Sequence, residues 1–403
     1  MDTSRIAHLL KTNDLLSISE TSRICKLIQA ATVILTDNRD VALHLKLEER
    51  IAEYKRLLHP IRYLPDDILR EIFGWVVPSV HRPPAWDTLD VRLPPWTLTH
   101  VSKNWRAVAI SHPLLWNTII HTDDVLYNTL SPLSIMLARS KGQSLHVEIV
   151  GKYVWWRRPL FVPLLRTTPR WEYAKISGPR RYINALSALS FPLLVSLDLH
   201  SSDTEIEVSL NAPHLVDVAL SGLDAGATRL PWAQIKTYRS RDMKLSHVHK
   251  LTSVTTLVIQ TTAFRYPADS GHFFDLPSVE TLVIRDERGH TSIAPVFGRF
   301  NFPSLRVLIL DAISDSLYDL PLLPKVTTLV LRLMYYKPSV GRFWKALPGL
   351  EALYMAFSQE MDYESDLVML AKSATLLPRL TMRHRSVYAL RRNGPIEAAC
   401  SML

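Results

Sequence analysis

The sequence predicts an α/β protein in which helices come first and a repeat that lays down a parallel sheet follows. Three observations carry this reading. The first 59 residues hold no proline and no glycine, and the rest of the chain holds all 26 prolines and all 12 glycines. Helix interiors exclude both residue types, so residues 1–59 read as helical. Between 60 and 118, two apolar helical patterns flank a proline-rich stretch. From about residue 144, a unit of the form Pro-x-Leu-x-x-Leu-x-Leu recurs.

Within 1–59, Ile24, Leu27, Ile28, Ala31 and Leu35 repeat at helical spacing, as do Leu43, Leu47, Ile51, Tyr54 and Leu58. Thr36-Asp37-Asn38 separates the two runs with cap-forming residues. The segment is expected to form a helical pair or a short coiled coil; alternatively, the second helix packs on the following domain. Pro60 closes that pattern. In Leu64-Pro65-Asp66-Asp67-Ile68-Leu69-Arg70-Glu71-Ile72-Phe73, proline and two acids suit a helix start. Ile68, Leu69, Ile72 and Phe73 make its apolar face. Residues 77–95 hold five prolines and read as a loop, within an insertion spanning 74–95. A helix is predicted over about Trp96–Ser111, with Leu98, Val101, Trp105 and Val108 on one side, and a short one follows at Leu114-Leu115-Trp116.

The repeat has its first apolar positions at Leu194, Leu215, Ile235, Val254, Val279, Leu305, Val326 and Leu350. These lie 21, 20, 19, 25, 26, 21 and 24 residues apart. A period of about 20–29 residues is that of leucine-rich repeats. The copies are irregular and lack a consistent asparagine after the strand. They predict a leucine-rich-repeat-like solenoid over 144–390, one short strand per copy stacked into a parallel sheet. A poorer copy begins at Trp171 and another ends at Leu380. Residues 391–403 remain as a tail.

Apolar residues make up 47% of the 403 and charged ones 21%, a globular composition with enough chain for a large core. No run approaches the roughly 18 apolar residues of a membrane span. The Met1–Arg5 start lacks the layout of a signal peptide. Asn-x-Ser/Thr acceptors are absent, and Cys25 and Cys400 are the two cysteines. An intracellular setting, cytoplasmic or nuclear, is expected, with both thiols free. The net charge of +9 permits acidic partners without requiring them.

Motifs that carry chemistry are missing. The sequence has no His-Glu-x-x-His, Cys-x-x-Cys, Gly-x-Ser-x-Gly, Gly-x-Gly-x-x-Gly or Walker-type loop. His247 and His249 lack nearby cysteine or paired carboxylate ligands. Asp66-Asp67 and Asp123-Asp124 suit helix-start and surface roles. No catalytic residue, metal or cofactor is expected.

The blocks Leu64-Pro65-Asp66-Asp67-Ile68-Leu69-Arg70-Glu71-Ile72-Phe73, Val101-Ser102-Lys103-Asn104-Trp105-Arg106 and Ser111-His112-Pro113-Leu114-Leu115-Trp116, in that order, resemble an F-box. Tyr54-Lys55-Arg56-Leu57-Leu58-His59-Pro60-Ile61-Arg62 is similar to the lead-in of many fungal F-box-like proteins. The resemblance covers Leu64–Trp116 and this lead-in, and the Gly74–Pro95 stretch is longer than the family's usual connection. It implies a three-helix F-box-like domain over 60–118. It also implies a substrate-receptor role in a cullin-based, SCF-type ubiquitin ligase, without catalysis in this chain. A Skp-type adaptor, and through it a cullin, would dock on Leu64, Pro65, Ile68, Leu69, Ile72, Phe73 and Val101. The repeat domain would hold the target protein.

In a leucine-rich strand the residues between the core positions face the other side of the sheet. Their middle column opens with Asp198, Ala219 and Arg239 and is mostly apolar, with Val258, Val283, Ile309, Val330 and Tyr354 flanked by Arg241, Arg285 and Arg332. Such a stripe would hold a target peptide with acidic or phosphorylated groups. The competing reading is that the stripe is buried, since strands covered on both faces show the same continuous apolar pattern. Residues 152–181 interleave Lys152, Arg157, Arg158, Arg166, Arg170, Lys175, Arg180 and Arg181 with Tyr153, Trp155, Trp156, Phe161, Trp171 and Tyr173, and the C-terminal part adds Arg379, Arg383, Arg385, Arg391 and Arg392. That pattern permits a nucleic-acid-binding repeat protein, the third reading after a ligase receptor and a non-ligase interaction scaffold.

Overall fold

The computed structural model describes residues 3–12, 14–37, 40–77, 86–122, 130–150, 161–201, 208–223, 228–241, 250–261, 274–286, 294–311, 320–333, 345–357 and 382–386. The chain divides into two compact units, Met1–Gln143 and Ser144–Leu403.

In the first unit, three helices rather than a pair precede Pro60: α1 (Thr3–Thr12), α2 (Ile18–Asp37) and α3 (Val41–Leu57). Asp40 caps α3 by accepting from the amides of Ala42 and Leu43. Ile6, Leu9, Leu16, Ile24 and Leu57 form one buried cluster, with Ile28, Tyr54 and Leu58 against it. Arg62, in the lead-in, donates to the carbonyls of Leu9 and Asp14 at 3.2 Å each. It thereby ties the residues before α4 to the end of α1.

Helix α4 (Asp66–Val76) follows, with Asp66 and Asp67 in its first turn as the dipole favours. The helix expected from Trp96 to Ser111 is broken in two. A single 3-10 turn covers Thr97–His100, and α5 runs Lys103–Ser111. The cause is Ser102, an extended residue whose hydroxyl accepts from the Trp105 amide at 3.1 Å and so starts a new helix. Another 3-10 turn, Pro113–Leu115, leads to strand β1 (Thr118–Thr122), and α6 (Leu130–Arg139) is the unit's last helix among the described residues.

The proline-rich insertion is not a simple surface loop where it is described. Asp87, Thr88, Leu89 and Asp90 are buried. The Thr88 amide donates to the carbonyl of Ile120 in β1, and the Ile120 amide returns a bond to the Thr88 hydroxyl. Asp87 accepts from the Leu89 amide at 2.8 Å, the Thr122 amide at 3.3 Å and His121 Nδ1 at 2.7 Å. A carboxylate only accepts, so His121 carries its proton on Nδ1. Residues 78–85 lie outside the described residues.

Among its described residues, the second unit is built on a sheet of eleven strands that all run parallel. In chain order they are β2 (Leu145–Val150), β3 (Trp171–Ser177), β4 (Ser196–His200), β5 (Asp217–Ser221), β6 (Thr237–Arg241), β7 (Thr256–Thr261), β9 (Thr281–Asp286), β11 (Val307–Asp311), β12 (Thr328–Leu333), β13 (Ala352–Phe357) and β14 (Met382–Ser386). Each pairs with the next in this list. Short helices α7 (Phe161–Leu165), α8 (Arg180–Ala185) and α9 (Ala294–Phe297) lie between strands. A second, two-stranded parallel pair joins β8 (Phe274–Asp275) to β10 (Phe300–Asn301).

The leucine positions of successive copies stand in register. Leu197, Val218, Tyr238, Leu257, Leu282, Leu308, Leu329 and Leu353 form one buried column. Leu199, Leu220, Ser240, Ile259, Ile284, Leu310 and Leu331 form another. Period-2 alternation sends both to one face, and each fully buried leucine contributes about 1.5–3 kcal/mol.

Candidate docking surfaces

Helix α4 carries an apolar stripe wider than its neighbours in the chain cover. Leu69 and Phe73 turn inward and are fully buried, Phe73 with its ring centroid 4.9 Å from that of Trp105. These two, expected at the adaptor surface, belong instead to the unit's own core, because α4 packs on α5 and on the Pro113–Leu115 turn. Ile68, Ile72, Trp75 and Val76 occupy the adjoining side and are exposed, Ile68 at 45%. Pro65 and Val101 are also exposed, and Leu64 is half-buried.

Other residues of the three blocks hold the scaffold together. Arg106 Nε donates to the Thr99 carbonyl at 2.7 Å, and the buried Trp116 donates to the Ala109 carbonyl at 2.8 Å. Trp96 meets Trp116 edge to face at 5.1 Å, and the Arg139 guanidinium lies 4.3 Å from the Trp116 ring centre. Burial and the like charge of Arg106 both lower the Arg139 pKa. Trp96 and Arg139 stand outside all three blocks, so the motif alone does not point to them.

On the sheet, Val258, Val283, Ile309, Val330 and Tyr354 stand side by side in register, as the repeat spacing predicts. The first four are buried, Val283 at 1% and Ile309 at 2%, with Val307 and Tyr354 packed against them. Here the buried-stripe reading holds, and these four side chains offer no open groove. Arg241, Arg285 and Arg332 fall in one neighbouring row, alternating with Gln260 and Asp311. Arg285 lies 3.8 Å from Asp311, so its charge is largely offset. The side chain of Arg332 lies outside the described residues.

The middle column does not stop at Val258. Towards β2 it continues through Arg239, Ala219, Asp198, Lys175 and Glu148. All five are partly exposed. Lys175 donates to Glu148 at 2.6 Å, and Arg239 donates to Asp217, which also accepts from the Ser196 hydroxyl at 3.0 Å. Burial raises the Asp198 pKa, with Lys175 and Arg239 pulling it back. Burial, then the charges of Asp198 and Glu148, raises that of Tyr173. The repeat spacing already places Asp198, Ala219 and Arg239 in this column, whereas Lys175 and Glu148 join it only through the strand register.

The basic–aromatic stretch does not form a stacking platform where it is described. Phe161 and Trp171 are buried, in contact with Tyr182 and Phe191 respectively. Lys175 is the partner of Glu148. Lys152, Tyr153, Trp155, Trp156, Arg157 and Arg158 lie outside the described residues, as do Asp123, Asp124, His247, His249, Arg379, Arg391, Arg392 and Cys400. Cys25 is a free, exposed thiol. Among the described residues, no helix is long and apolar enough to cross a membrane, and no group of three or more His, Cys, Asp or Glu is placed to hold a metal ion.

Comparison with protein-family models and with curated proteins finds no match to this chain.

Proposed function

We propose that this chain is a non-catalytic binding protein that works by holding two partners. More particularly, we read it as the substrate-recognition subunit of an SCF-type ubiquitin ligase. In this reading the F-box-like domain docks a Skp-type adaptor, and through it a cullin, inside the cell, in cytoplasm or nucleus. The second unit, read as an irregular leucine-rich-repeat-like solenoid, holds the target. Proximity then does the work, because a tethered target meets the ligase as an effectively intramolecular reactant.

The observation that carries the reading is the exposed half of the α4 stripe. A short helix that leaves Ile68, Ile72, Trp75 and Val76 in water presents an apolar face of the kind that marks a protein interface. The solenoid reading is supported by a second line of parallel contacts on the return arms. Ser190 bridges to Asn211, Ser209 to Arg229, and β8 to β10. Just before the strands, one carbonyl per copy accepts from two successive amides of the next. Val216 with Lys236 and Thr237, and Glu280 with Arg306 and Val307, are examples. A coil that returns to the same place after each copy produces both ladders.

Co-purification with a recombinant Skp-type adaptor tests the function. The wild-type chain is expected to bring the adaptor down. Ile68→Asp/Ile72→Asp should lose at least about 30-fold in affinity, the effect of a central anchor worth roughly 2 kcal/mol. Leu64→Ala/Pro65→Ala should weaken it less. A wild-type chain that leaves the adaptor in solution would favour the alternative, a scaffold whose F-box-like domain is structural only.

A further inference from the structure

We propose that the half of the sheet face carried by β2–β6 binds a target segment that presents a lysine or arginine side chain to Asp198. The proposal names the chemistry of the target, and it rests on the receptor reading only in calling that ligand a target.

The sheet offers two halves of one column, and only one is open. From Val258 to Val330 the column is buried, whereas Glu148, Lys175, Asp198, Ala219 and Arg239 are partly exposed. The open half is also the charged one. Its two cations are hydrogen-bonded to other acids, Lys175 to Glu148 and Arg239 to Asp217, and act on Asp198, as His200 does, only through their charge. Asp198 stands between them in the register, directly beside Lys175 and beside Ala219 on its other side. Ala219 is the one short side chain in this part of the row, and it stands between Asp198 and Arg239 in the register. Burial has already stripped part of the water from the Asp198 carboxylate, as the upward shift of its pKa reflects. A cation approaching Asp198 over Ala219 would replace that solvation with a charge-assisted hydrogen bond. The neighbouring Tyr173 keeps its proton and supplies a ring against which a long cationic side chain packs. An anionic segment would instead meet Glu148, Asp198 and Asp217. The chain as a whole carries +9, so general electrostatics disfavours a cationic ligand, and binding of one must be local.

The test is fluorescence anisotropy of the full chain with two labelled dodecapeptides, one alternating Lys and Ser, the other Glu and Ser, in about 0.15 M salt. The cationic probe should bind and the anionic probe should not. Asp198→Asn, which is isosteric, should weaken the cationic probe about tenfold without lowering the melting temperature. Ala219→Leu adds bulk beside Asp198 without changing charge and should weaken it as well. Equal binding of the two probes, preference for the anionic one, or unchanged affinity in folded Asp198→Asn and Ala219→Leu would each overturn the proposal. Adaptor co-purification on the same preparations separates the two readings. A chain that binds the cationic probe but not the adaptor loses the ligase role and keeps the site; the reverse result loses the site alone.

Discussion

Ile72 and Phe73 are neighbours in sequence with opposite fates. Phe73 is fully buried against Trp105, and Ile72 is exposed. Phe73→Ala should cost about 3–5 kcal/mol in urea unfolding, the range for emptying a buried aromatic site. Ile72→Ala should stay within about 0.5 kcal/mol of wild type and act on adaptor binding instead. A reversed order would mean that α4 packs by its other side. Asp87 is a second residue whose loss should be felt. It holds two backbone amides and His121 in a site where both side chains are almost wholly buried. Asp87→Ala would leave those donors without an acceptor, and a loss of about 3 kcal/mol or more is expected. Since Asp87 sits in the proline-rich insertion, faster proteolysis near that insertion should accompany the loss.

Among the elements, the strands are set by their side-chain alternation and the turns by single residues. Gly222, just after β5, has φ +72, and a Cβ placed there would run into the Ser201 carbonyl. The turn brings the Ser221 carbonyl to the Ser201 amide at 3.0 Å, continuing the ladder past the strand ends. Gly222→Ala should therefore destabilise by more than about 1 kcal/mol, with a matching fall in melting temperature. An unchanged melt would show that the turn rearranges freely. On the other face, alternation explains why a column can change from charged to apolar without disturbing the fold. Only the buried columns of leucine, isoleucine and valine have to match from copy to copy.

For the whole molecule, the two proposed surfaces lie in different units and should be separable by mutation. Ile68→Asp/Ile72→Asp should abolish adaptor capture and leave affinity for the cationic probe unchanged, and Asp198→Asn should do the opposite, because sites that share no partner residue act independently. The pH dependence follows from the direction of the Asp198 shift. Its folded pKa lies above the unfolded value, so the charged carboxylate costs stability at neutral pH, and that cost disappears as the pH falls below its unfolded value. Affinity for the cationic probe should thus decline on acidification, while the contribution of Asp198 to stability improves. Asp90 works the other way. A side-chain hydrogen bond from Arg92 holds its pKa down, so the stability it contributes is lost on acidification. Calorimetry of wild type and Asp198→Asn across an acid series would resolve the difference, which should vanish at low pH.

The sequence by itself determined the helical character of the chain before Pro60, though not its division into three helices, and the parallel sheet with its strand register, because each rests on a local rule. Proline and glycine are kept out of helix interiors, and a leucine at every second position must turn to one face. It also determined the break between a helical part and a repeat part. Tertiary structure alone decided which apolar residues are spent on the chain's own core. Leu69 and Ile68 look alike in sequence, and so do Val258 and an exposed valine; packing of α4 against α5, and burial of the stripe from β7 to β12, separates them. Tertiary structure decided, too, that Ser102 divides one expected helix and that the proline-rich insertion is pinned to β1 through Asp87 and Thr88. Glu148 and Lys175 joined the row of Asp198 and Arg239 only when the copies stacked. The physical reason is the same in each case. Local periodicity fixes the direction in which a side chain points, but what it meets there depends on residues that the fold brings from elsewhere.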